Sequence, residues 1–81
     1  MIRLPEFEAI VREFAIAQDL DLADASLFEA TVKAVAMALE DNGYELSIAT
    51  KKFVECVDYL DTTLQKRLHA STTLRVVYQA I

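Results

Sequence analysis

The chain of 81 residues carries thirteen Asp and Glu against eight Lys and Arg, a formal net charge of −5, and 54% of its residues are hydrophobic. A chain this short buries only about 60% of its unfolded surface, which predicts one domain of marginal stability. A single cysteine, Cys56, and a single histidine, His69, exclude an intrachain disulfide and fall short of the usual ligand set of a structural zinc site.

The first predicted helix begins at Pro5, where the missing N–H costs nothing and φ is already suitable. Glu6 and Glu8 follow in its first turn, favourable against the helix dipole. Phe7, Ile10, Val11 and Phe14 recur at helical spacing and give one apolar stripe, with Arg12 and Glu13 facing out. The pattern dissolves near Gln18, and Asp19 to Asp21 form a link.

The second helix is the element the rest must be organised around. From Ala34 to Leu39 it runs through six residues without a polar side chain, and only Glu29 and Lys33 mark a wet side. A helix apolar nearly all round has neighbours on more than one side. Asp21 is the expected N-cap, with Asp24 in the place of a capping-box acid; Ser26 and Glu29 spell a second box that would shift the start by a turn. Phe28, Val32, Val35 and Leu39 form one stripe. Leu27, Ala30, Ala34 and Ala38 form another, small enough to permit close helix approach. Gly43, the only glycine, stands where a left-handed residue ends a helix.

Ser47 is the expected N-cap of a third helix, along which Phe53, Val57, Leu60 and Leu64 recur at near-heptad spacing. Asp61, Thr62 and Thr63 are poor helix formers that cap well, and they predict a break or a kink. A last helix then carries Leu64, Leu68, Ser71, Leu74 or Arg75, and Tyr78 on one face, with Val77 and Ile81 widening it. The β-branched run from Ser71 to Tyr78 also suits a strand, but a lone strand would have no partner. The expectation is an all-α fold: a small bundle of three to four helices, about 5–18, 22–42, 48–61 and 63–80, joined by short connections. So much apolar residue on so small a chain further predicts a helical homodimer that buries the surplus.

Glutamates interrupt the apolar N-terminal stretch, unlike a signal peptide, and no apolar run approaches the ~18 residues of a membrane span. With a lone cysteine, a cytoplasmic location is expected. Charge is unevenly spread. Residues 1–45 hold ten acids and three bases, whereas residues 46–81 hold three acids and five bases. Beyond Asp61 there are no acids, only Lys66, Arg67, Arg75 and His69. Such a division lets the two halves attract one another within a dimer, or presents the second half to an anionic partner.

No constellation of catalytic residues emerges. Cys56 has Glu55 and Asp58 as sequence neighbours and lies beside Phe53, Val57 and Leu60, so a packed structural thiol is expected rather than a nucleophile. His69 has no serine or cysteine near it in sequence and is expected on an exposed helix surface. Asp19, Asp21 and Asp24 read as caps and solvated turns, not as a catalytic pair. One glycine cannot build a phosphate-binding loop. The chain is therefore expected not to be an enzyme and to carry no cofactor or metal. Lys51, Lys52, Lys66, Arg67 and Arg75 are the candidate contacts to nucleic acid or to an acidic partner, but no aromatic residues interleave them for base stacking. Tyr44, Tyr59 and Tyr78 suit partial burial at interfaces.

Four short motifs span most of the chain. These are Ile10-x-Arg12-x-Phe14-Ala15-x-Ala17 in the first helix, an acidic cap ahead of Leu27, Glu40-Asp41-x-Gly43-x-x-Leu46-Ser47 at the second junction, and Leu60-Asp61-Thr62-Thr63 at the later break. In these motifs, and in the order and length of its segments, the chain resembles the small enterobacterial biofilm-modulation and two-component-system connector proteins of the AriR/YcgZ kind. That resemblance implies an all-helical homodimer that modulates biofilm formation, motility and acid-stress responses, largely by contacting a phosphorelay response regulator. Direct DNA binding is a second implication, and the acidic balance favours protein contact over it. A phage- or plasmid-encoded inhibitor of a host protein would show a similar outline.

Overall fold

The computed structural model describes residues 1–57 and 67–69. Three helices follow in order: α1 (Leu4–Ala17), α2 (Ala25–Asp41) and α3 (Ile48–Cys56). Residues 67–69 are helical as well, and the described chain is mostly helix, with one isolated parallel bridge between Ile2 and Leu46. The all-α expectation holds. Leu60, Leu64, Tyr59, Tyr78, the predicted break at Asp61 to Thr63 and the 71–78 run lie outside the described residues.

α1 buries Phe7, Ile10, Val11, Phe14 and Ala15, the predicted stripe and one alanine beside it, while Arg12 and Glu13 face solvent. α2 is the centre of the bundle. It buries Ala30, Thr31, Val32, Ala34, Val35, Ala36, Ala38 and Leu39, and α1 and α3 pack against it and against each other. Each fully buried Phe or Leu contributes about 1.5–3 kcal/mol through the water it no longer touches, and Phe7, Phe14 and Leu39 are in that position. Thr31 is the one fully buried polar residue of α2, and its hydroxyl donates back to the Leu27 carbonyl at 2.6 Å, so its burial leaves no orphan.

α3 is held by Phe53, whose ring stands edge-on to Phe7 at 6.2 Å and to Phe28 at 6.5 Å, so one side chain ties α3 to both other helices. Lys33, predicted to mark a wet side, is half-buried instead: its ammonium reaches the Val54 carbonyl at 2.7 Å. A cation there satisfies an end carbonyl of α3 and complements the dipole.

Both inter-helix junctions start alike. At the end of α1, Asp19 N–H donates to Ile16 and Leu20 N–H to Ala15; at the end of α2, Gly43 N–H donates to Glu40 and Tyr44 N–H to Leu39. These are Schellman motifs, and each puts one residue in the left-handed region: Asp19 at φ 54° and Gly43 at φ 83°.

Three sequence-based expectations are corrected. The N-cap of α2 is Asp24, whose carboxylate accepts from Ser26 and Leu27, so the helix begins three residues beyond the predicted start at 22. Asp21 instead closes a turn by accepting from Ala23 N–H at 3.0 Å. With two acids three residues apart, the one nearer the apolar run took the cap. Ser47 does cap α3, accepting from Thr50 N–H, but α3 ends at Cys56, short of the predicted 61. Val57 is extended there, and the Val54 carbonyl is shared between Val57 N–H and the Lys33 ammonium. Cys56 is exposed rather than packed. At about 100° per residue, the core-facing side of α3 runs through buried Thr50 and half-buried Phe53 and Val54, and Cys56 falls off its edge.

A candidate protein-contact site

The residues that seal α1, α2 and α3 together leave a gap on one flank. Val11 and Val32 form its buried floor, and half-buried Leu22, Phe28 and Phe53 form its walls. Exposed Glu8 and Arg12 stand at its rim, one turn apart on α1. The resulting cleft has a volume of about 310 Å³ and an almost wholly apolar lining. The junction after α1 is acidic and solvated except at Leu20 and Leu22, and Leu22 folds back over the core edge without closing the cleft. An apolar hollow with a few charges at its mouth suits an inserted aliphatic or aromatic side chain, with the charges fixing orientation.

The predicted cationic contacts do not converge among the described residues. Lys51 and Lys52 are exposed successive residues of α3 and diverge by about 100°. Lys51 lies in a second cleft, of about 320 Å³, lined also by Glu40, Gly43, Tyr44, Glu45 and Leu46, so two carboxylates share its surroundings. Arg67 is exposed, and Lys66 and Arg75 lie outside the described residues. Tyr44 is half-buried against the core, as its amphipathic character suggested.

His69 also departs from expectation. Its side chain is only 29% exposed, and Nε2 lies 2.8 Å from the Asp41 carboxylate at the end of α2. Leu68 beside it is buried in the core, so residues 67–69 are anchored on two sides. Among the described residues, no three His, Cys, Asp or Glu side chains are grouped to hold a metal ion, and no helix is long and apolar enough to cross a membrane.

Sequence reasoning missed Leu22 and Glu8 as wall and rim. The signal was present in the alternation Asp19-Leu20-Asp21-Leu22, in which two large apolar residues stand among acids. No family model, curated protein or solved structure matches the chain.

Proposed function

We propose that this protein is a non-enzymatic regulator that acts by protein–protein contact, in the cytoplasm and as a homodimer. One observation carries the reading: the open apolar cleft walled by Leu22, Phe28 and Phe53, with Glu8 and Arg12 at its rim. Three bulky side chains left beside water on so small a core favour a partner's apolar anchor at that place. The motif resemblance supplies the kind of partner. It is a receiver domain of a phosphorelay response regulator, with biofilm formation and acid-stress responses as the output. The direct nucleic-acid reading has less support, because Lys51 shares its cleft with Glu40 and Glu45.

The test is titration of the purified chain against a panel of purified receiver domains by calorimetry. A complex of micromolar affinity that Leu22→Glu weakens tenfold or more, with helical circular dichroism unchanged, supports the reading. Absence of binding across the panel overturns the receiver-domain assignment. Binding that is indifferent to Leu22→Glu overturns the cleft.

A further inference from the structure

The outer face of α1 runs opposite its buried stripe. Pro5, Ala9, Arg12 and Ile16 recur there at spacings of four, three and four, so they share one line along the helix. Ile16 is a large aliphatic side chain left 73% exposed at the C-terminal end of this face. Ala9 is half-buried and small enough to let a second helix approach. Glu8 lies on the flank of the line next to Arg12, and neither takes part in an ion pair with another described residue.

We infer that α1 pairs antiparallel with α1 of a second copy of this chain about a two-fold axis that passes between the two helices, level with the step from Ile10 to Val11. The spacing reads the same in both directions, so in an isologous contact these four residues can face one another. In this one register Pro5 faces Ile16 of the second copy, Ala9 faces Arg12, and both contacts occur twice. A two-fold of this kind brings like flanks together, so Arg12 lies across the small Ala9 and reaches Glu8 of the second copy, again twice over. The other flank carries Glu6 and Glu13, both exposed, and the same operator sets Glu13 near Glu6 of the second copy. That repulsion makes the contact weak, and it supplies a variant of opposite sign. The inference deepens the homodimer part of the proposed function, and it places the dimer contact next to the cleft, since Glu8 and Arg12 also stand at the cleft's rim.

The experiment is sedimentation equilibrium of the full chain across a range from micromolar to hundreds of micromolar, with helical circular dichroism as the control for folding. Ile16→Glu is expected to weaken dimerisation tenfold or more while leaving the helical signal intact, because the side chain it replaces is exposed. Glu13→Lys is expected to strengthen it several-fold, since each new lysine meets a Glu6 across the axis. Strengthening by Glu13→Lys separates a contact at this face from a general loss of solubility or structure. A wild-type chain that is monomeric throughout overturns both the dimer and this surface. A dimer indifferent to both substitutions overturns this surface alone and leaves the homodimer standing.

Discussion

Residues 18–24 carry the chain from α1 to α2, and residues 42–47 carry it from α2 to α3. Both begin with the same pair of backbone hydrogen bonds and end on a side-chain cap, yet their surroundings differ. The first junction is exposed except at half-buried Leu20 and Leu22, and its cap, Asp24, is solvated. The second is drawn into the core. Leu46 is buried, Ile2 N–H donates to Glu45 and Ser47 N–H donates to Ile2, forming the one parallel bridge. The hydroxyl of fully buried Thr50 donates to the Ile2 carbonyl at 3.1 Å and lies 2.8 Å from that of Ser47. Identical local hydrogen bonding can thus end a helix anywhere. Whether the junction also carries tertiary stability depends on what is buried next to it.

The largest difference between the junctions should appear at Thr50. Thr50→Val keeps the shape and the β-branch but deletes the buried hydroxyl, leaving the Ser47 hydroxyl without that partner and the Ile2 carbonyl with one donor instead of two. A loss of about 1–3 kcal/mol is expected for a buried hydrogen bond removed from one side. Urea unfolding at fixed protein concentration reads it as a lower midpoint with an unchanged slope. A midpoint within error of wild type would mean that the second junction is no more committed to the core than the first.

Gly43 tests the conformational part alone. Beyond Gly43 and its two chain neighbours, no heavy atom lies within 4 Å of where a Cβ would stand, so Gly43→Ala meets no clash and reports only the strain of φ 83°. About 1 kcal/mol of destabilisation is expected, from the steric penalty of an L-residue in the left-handed region. The same unfolding measurement applies. A midpoint unchanged from wild type would mean that the left-handed conformation of Gly43 costs alanine nothing here.

These ends also explain what the sequence made legible. Gly43 was readable as a helix end because glycine in that position has one obvious use. Asp19 has the same job, but its letter is shared with Asp21 and Asp24, and nothing in spacing alone separates a left-handed residue, a turn acceptor and an N-cap. The buried stripes of α1 and α2 were readable because helical periodicity is a direct image of which side meets water. The Thr50–Ile2 knot was not, since it joins residues 48 positions apart through a hydroxyl whose identity as a core group depends on the fold. Lys33 and His69 misled for a related reason. A polar letter implies solvent until a distant carbonyl or carboxylate is known to be waiting for it. The cleft was the least legible feature, because it is defined by what α1, α2, α3 and Leu22 together fail to fill.

The smallest expected effect has the opposite sign and returns to the first junction. Asp19 holds a left-handed conformation at φ 54° with a side chain that tolerates this region better than most but less well than glycine. Asp19→Gly should relieve that strain, offset in part by the greater freedom of glycine in the unfolded chain, for a net gain of about 0.5 kcal/mol. Asp19→Ala should instead lose stability, because alanine has the same backbone restriction and no polar side chain to bond locally. The expected order of urea midpoints is glycine, aspartate, alanine, measured at moderate salt so that removing one acid from a chain of net charge −5 contributes little. If alanine at 19 proves as stable as glycine, the left-handed turn is not what ends α1, and the two junctions are less alike than their hydrogen bonds indicate.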